Sequence, residues 1–394
     1  MSRKILALLC AASISLSLFA ACGSDDSSSD LSGISKDEIS SVSDNKEESS
    51  ELQATDSKKI TVDYSLAFSI EVLSDGVKKV TDGDGRELYL VPKELKTVPN
   101  EYADKTVVRT PVDNVCFTSS TQISMLSAAD EKIWDSVGGV IVNTDYSLLQ
   151  QVQSRLDCGD IVNIGADVTA PDYEAIVSLE PDIVFVTGGS YPMNDVMTKL
   201  DELGINYCCD NEYEETDFLA RMEWIKFVLT FFEEDDAAQA KMEEATASLE
   251  KITNEIKELE ASDVAQFSVW SGEAYVTSNS SWVGSMMSSV GGENVFGKVS
   301  EYSLSLEELL EKASNADVLI YADTPTYTPD LAAIEDAFPQ ITSCKAYESG
   351  RIYQYTDMFW LGIGDTDNVA ADLAAICYPE AFPDRELTYY KKIS

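Results

Sequence analysis

Residues 216–232, "TDFLARMEWIKFVLTFF", carry large apolar side chains on most sides of a helical projection: Phe218, Leu219, Met222, Ile225, Val228, Leu229 and Phe232. A helix of this composition has to be covered nearly all round. At about 1.5 Å per residue it reaches roughly 25 Å, enough to run from one packed unit into another. The flanking sequence supplies a unit on each side. Upstream, "NVCFTSS" (114–120) predicts a strand, "TQISMLSAADEKIWDSV" a helix and "GGVIVN" the next strand. Then come "DIVNIG", a helix over "APDYEAIVSLE", "PDIVFVT", a helix over "MNDVMTKLDELG" and "INYCC". Downstream, a charged helix over "EEDDAAQAKMEEATASLEKITNEIKELEA" leads into "VAQFSVWSG", "EAYVTSN", a helix from Ser281, "DVLIYADTP", "RIYQYT" and a closing helix over "DNVAADLAAICYPE". Strand and helix in alternation argue for βα units around mostly parallel sheets. The expected fold is therefore α/β, with two lobes joined by a single long α-helix.

From Lys59 to about Pro92 the period differs. Apolar and polar residues alternate around Ser-Asp-Gly and Asp-Gly turns, which predicts an N-terminal β-hairpin extension. The "DGDG" at 82–85 lacks the spaced ligands and closing glutamate of a calcium loop and is expected to be a plain turn.

The chain starts "MSRKILALLCAASISLSLFAAC": a basic end, an apolar run short for a bilayer span, and small residues before Cys22, the pattern of a secretion signal. "LFAAC" resembles a lipobox, in which Cys22 would carry lipid after cleavage; Phe19 stands where an aliphatic residue is usual, and the alternative is an ordinary signal with Cys22 incidental. Residues 22–58, rich in Ser, Asp and Glu, cannot bury enough surface to fold and are expected to form a disordered acidic tether. The expected organisation is a signal peptide at 1–21, the tether at 22–58, an N-terminal lobe with its extension at 59–215, the interlobe helix at 216–232 and a C-terminal lobe at 233–394.

Composition excludes several chemistries. With 28 basic against 70 acidic residues, a net charge of -42, nucleic acid is not an expected partner. Histidine is absent, which removes the usual general base, zinc ligand and haem ligand. Cys116, Cys158, Cys208, Cys209, Cys344 and Cys377 show no metal-ligand spacing, and most are expected to be buried thiols. No metal site, covalently bound cofactor or catalytic residue is expected.

In element order and in the pieces "PDYEAIVSLEPDIVFV", "MEWIKF", "EAYVTSNSSWVGSMMSSVGGENVF", "SLEELLEKASNADVLIY" and "GRIY", the chain from about 112 onward resembles the substrate-binding proteins of bacterial ABC importers for iron-siderophores, haem and vitamin B12. That resemblance implies two Rossmann-like lobes joined by one long helix, with little closure on binding. It implies a function as well: capture of a metal chelate, most often an iron-siderophore, and delivery to a membrane permease and its ATPase by a monomer lipid-anchored at the outer face of the cytoplasmic membrane. Cobalamin or another corrinoid, or haem, is the alternative cargo. The related zinc and manganese receptors use histidines, which this chain lacks.

In such a protein one exposed glutamate per lobe meets arginines of the permease, and Glu174 and Glu307 occupy those positions, near the starts of their helices. On the first of these helices Tyr173, Ile176 and Val177 share a face expected to pack on the lobe. In open α/β sheets ligands sit beyond the carboxyl ends of the strands. That rule selects Ser119, Ser120, Tyr146, Gly188, Gly189, Ser190 and Tyr191 in the first lobe. In the second it selects Trp270, Ser271, Asn279, Ser280, Asp323, Met358 and Trp360, of which Trp360 is the leading ligand residue. Trp224 and Trp282 are expected in the core. Two other classes remain: a surface sensing or adhesion protein on a receptor fold, and an enzyme on two α/β lobes with Asp323 or Glu214 as acid or base.

Overall fold

Three sheets organise the chain in the computed structural model, which describes residues 60–142, 149–189, 191–300 and 302–393. Cys22, the signal and the tether lie outside the described residues, as do Tyr146 and Ser190; of Tyr191 only the backbone is described. The first sheet holds β1 (Ser69–Val72), β2 (Lys78–Thr81), β3 (Glu87–Pro92) and β4 (Val107–Thr110) in that order. The expected hairpin is thus a larger structure: β1–β2–β3 form an antiparallel meander, and β4 adds parallel to β3.

The second sheet is wholly parallel, in the order β7–β6–β5–β8–β9: β5 (Val115–Phe117), β6 (Val137–Val140), β7 (Val162–Asn163), β8 (Ile183–Val186) and β9 (Tyr207–Cys209). Its inner strands β5 and β8, Val-Cys-Phe and Ile-Val-Phe-Val, are apolar throughout because both faces of the sheet are packed. The third sheet is mixed. β10 (Ser262–Trp270), β14 (Val318–Tyr321) and β15 (Ile352–Tyr355) are parallel, with β12 (Gly292–Asn294) parallel to the start of β10. Antiparallel strands flank them: β11 (Glu273–Val276) and β13 (Ser303–Ser305) on one side, β16 (Tyr390–Lys392) on the other.

The apolar segment at 216–232 forms the helix Phe218–Thr230, opened by Asp217, whose carboxylate accepts from the N–H groups of Leu219 and Ala220. Its middle and end, including Trp224, Phe227 and Phe231, join the core of the second sheet, whereas Phe218 belongs to the core of the third. Burial all round extends to its charged residues. Glu223 has no exposed surface and accepts N–H hydrogen bonds from Asp63, Tyr64 and Ser65 together with one from the Lys226 ammonium at 2.9 Å. Those bonds bind the start of the described chain across the helix.

The extension is also tied to the second sheet. In the "DGDG" turn, Asp82 accepts from the N–H groups of Cys209, Arg86 and Asp84, and the Gly83 N–H donates to the Cys209 carbonyl. With the carboxylate so engaged the segment is a docking turn, and among the described residues no acidic, cysteine or histidine group is arranged to hold a metal ion. The helix expected over 121–137 is broken into a short helix, Ser120–Ser124, and two 3-10 segments, Met125–Ala128 and Glu131–Ser136. Five of the six thiols in the described residues are buried, and Cys158 is exposed.

Candidate functional site

At the end of β5 the chain turns directly into the helix Ser120–Ser124. Ser119 caps it, its hydroxyl accepting from the Thr121 N–H at 3.2 Å while the Gln122 side-chain oxygen accepts from the Ser119 N–H at 3.1 Å. At the end of β8, Gly188 is buried between the extension and β9. Its N–H donates to Asn211 Oδ1 at 2.9 Å, and a Cβ at this position would stand 2.4 Å from Asp84 Oδ1. Gly189 has φ +76°, and a Cβ there would meet Glu214 Oε1 at 2.6 Å. The close approach at both glycines is thus made by protein groups of the turns at 82–85 and 211–214.

Beyond β9, Asp210 is buried. Its Oδ1 accepts from the Glu212 N–H, and burial, followed by the charge of Glu212, pushes its carboxyl well above the usual range. Glu212 is in turn ion-paired to Arg221 of the helix Phe218–Thr230, with Nε to Oε2 at 2.7 Å and both groups buried. The Arg221 guanidinium lies over the ring of Trp282 at 4.3 Å from its centroid. A continuous chain of contacts therefore runs from the loop after β9, through the connecting helix, to the third sheet's first helix, Trp282–Ser289.

Trp282 continues the chain. It stacks on Phe359 at 5.9 Å and meets Trp360 edge to face at 6.2 Å, and Trp360 touches Tyr355 and Phe359 in the same way. The turn Phe359–Leu361 packs against the helix Ser120–Ser124. The structure thus brings the helix that Ser120 begins, in one lobe, beside the turn after Met358 that carries Trp360, in the other. Trp360 keeps 43% of its surface exposed, so the group presents an aromatic face to solvent.

Other selected residues have separate placements. Trp270 and Ser271 form the tip of the β10–β11 hairpin, with Trp270 50% exposed and Ser271 at φ 52°. By strand alternation Trp270 shares the face of Gln266, whose side-chain amide donates to the Tyr355 hydroxyl. The Asn279 side chain covers Gly297, and Ser280 pairs with Ser278 at 2.7 Å. Asp323 closes its own loop, accepting from the Thr324 N–H and the Thr328 hydroxyl, and burial raises its carboxyl.

Glu174 and Glu307 are exposed in the first turns of the helices Tyr173–Leu179 and Leu306–Ala313. The neighbouring Glu308 is engaged as the capping-box partner of Ser305, accepting from its N–H and hydroxyl. Val177 departs from expectation: 47% of its surface is exposed, because the short helix buries only Ile176 fully and Tyr173 in part.

Sequence reasoning missed Trp282, Arg221 and Glu212. Trp224 is core, with no exposed surface, but Trp282 is half-buried at the aromatic face. It begins a helix two residues after Ser280, in a turn already selected. An arginine on a helix covered on all sides was the second signal, since a buried guanidinium requires a partner.

Two surface depressions stand apart from this region. One of about 360 Å³ lies between Tyr64, Leu219 and the helix Asp235–Ile256; the other, of about 370 Å³, lies among Val295, Val299, Leu304, Lys298 and Lys312.

Residues 115–358 match the model of the periplasmic binding protein family. The chain belongs to that family. An uncharacterized lipoprotein of Methanocaldococcus jannaschii is 29% identical over 330 residues, covering 80% of this chain and 78% of its own. Among solved structures, an ABC transporter substrate-binding protein from Listeria monocytogenes EGD-e superposes with a TM-score of 0.50 at 16% identity, over 68% of this chain and 99% of that one. A periplasmic heme binding protein from Pseudomonas aeruginosa gives 0.56 at 16% identity, over 72% and 98%. These periplasmic binding proteins share the two-lobed α/β fold, and the family binds solutes rather than catalysing reactions. Among the described residues no helix is long and apolar enough to cross a membrane.

Proposed function

We propose that this periplasmic binding protein captures a metal chelate of the iron-siderophore type and delivers it to an ABC importer, from a lipid anchor at Cys22 on the outer face of the cytoplasmic membrane. The observation that carries the reading is the exposed aromatic face of Trp360 and Trp282, set beside the helix that Ser120 begins, where the two lobes meet. A flat, partly apolar chelate gains contact area on such a face without a catalytic group. The fold of a heme binding protein and the relative named a lipoprotein agree with this reading. A corrinoid would use the same face.

Delivery requires orientation. Glu174 and Glu307 are exposed, lie on helices of different lobes, and precede β8 and β14 respectively. Two separated charges fix how a carrier sits on a basic permease and speed the encounter. The domain organisation follows: 59–215 and 233–394 form the lobes, and the helix within 216–232 joins them. The test is uptake of iron-55 siderophore by cells carrying the Glu174→Ala/Glu307→Ala chain. Binding by the purified variant is expected to persist while uptake is lost. Surviving uptake overturns the docking assignment, and absence of binding by the wild-type chain overturns the cargo.

A further inference from the structure

The residues that follow the carboxyl ends of the parallel strands share a charge property. The stretches 118–121, 187–189, 210–217, 322–330 and 356–365 contain no lysine or arginine, and neither does the β10–β11 hairpin with the turn that follows it, 270–281. Carboxylates are present instead: Glu214 beside Gly189, Asp217, Asp323 and Asp357, with Asp84 contributed by the extension beside Gly188. Among the described residues, the cation that lies over the aromatic group, Arg221, is ion-paired to Glu212. It supplies no net positive charge.

Acidic residues alone do not make a site; two further observations point to a ligand here. Thr118, Gln122 and Asp210, each 1% exposed and each just beyond a strand of the second sheet, hold polar atoms (Oγ1, Nε2 and Oδ2) that make no hydrogen bond among the described residues. Buried polar atoms in folded proteins are nearly always paired, with protein, water or ligand, so these three strand ends can each take a polar partner. The second is Trp360, 43% exposed, an aromatic surface of the kind that attracts a cation.

We propose that the site selects metal chelates of net positive charge over neutral and anionic ones. The inference rests on the chelate-binding reading above and adds the charge class. An anionic chelate entering this region would meet these carboxylates, whereas a cationic one gains from both the carboxylates and the exposed surface of Trp360.

Two probe pairs differ in charge at nearly constant shape: ferrioxamine B, with its pendant ammonium, against its N-acetyl and N-succinyl derivatives, and aquocobalamin against cyanocobalamin. Affinities of the full chain are read by calorimetry at two salt concentrations. Within the pair that binds, the cationic member is expected to bind about tenfold more tightly than the neutral one, as carboxylates about 8 Å away would give. The advantage should shrink in high salt, and Asp84→Asn/Glu214→Gln should reduce the ratio of cationic to neutral affinity roughly threefold. Equal or tighter binding of the neutral or anionic members overturns this inference and leaves the chelate-binding reading standing. Failure of every probe to bind overturns both.

Discussion

Replacing Glu223 with alanine tests whether the start of the described chain is a structural clasp on the connecting helix. The carboxylate is fully buried, pairs with Lys226, which is itself buried, and accepts from three consecutive backbone N–H groups, of Asp63, Tyr64 and Ser65. Breaking a buried ion pair from one side costs about 3–5 kcal/mol; the Lys226 ammonium keeps the Thr61 carbonyl at 2.8 Å and the Asp63 carboxylate at 3.6 Å, so the lower end, about 3 kcal/mol, applies. Of the three amides, that of buried Ser65 loses its partner in a site away from water, adding about 1–3 kcal/mol. The other two belong to exposed residues and can turn to solvent. Together about 4–6 kcal/mol is expected, comparable with the whole stability of many domains. Urea denaturation at neutral pH, followed by circular dichroism, measures it. Glu223→Leu/Lys226→Met removes both charges at similar volume and should recover at least about 2 kcal/mol of the loss. A single-variant cost below about 1 kcal/mol, or a double variant less stable than Glu223→Ala, would refute the reasoning.

Three further outcomes follow from the same geometry. Asp210 binds its proton more tightly folded than unfolded, so between its ordinary value of 3.8 and its raised folded value the native state holds more protons, and stability falls as pH rises; Asp210→Asn should flatten that slope in urea titrations at pH 5 and pH 8. Gly188→Ala places a methyl 2.4 Å from Asp84 Oδ1 and should cost about 1–3 kcal/mol of stability, seen as a lower melting temperature by calorimetry. In the compact unit Ile60–Ser394, Cys158 is the exposed thiol and burial pushes Cys116 and Cys377 up to about 12, so one thiol should react promptly with a disulfide reagent and the rest only after unfolding.

The two-lobed architecture was legible because its signals are local. Runs such as "DIVFV" and "DVLIY", buried on both faces, must be core strands, and 216–232 had no polar face to give to water. Long-range partners were not legible. Asp82 meets the Cys209 amide across 127 residues, and Glu223 meets Asp63 across 160, so the added parallel strand β4 and the docking of the extension had no sequence-local mark. The same holds for Trp282, whose half-buried place is set by Arg221, Phe359 and Trp360 arriving from elsewhere. Val177 misled for a simpler reason: a seven-residue helix has too little length to bury the edge of its apolar face.

The central claim, that a metal chelate binds at the aromatic face where the lobes meet, is tested most directly by intrinsic tryptophan fluorescence of Ile60–Ser394. Ferric siderophores, haem and cobalamin would be titrated in parallel, with Trp360→Ala alongside. Saturable quenching by one of these ligands, lost in Trp360→Ala, is the expected result. No response to any of them, or quenching that survives unchanged in the variant, would contradict the account.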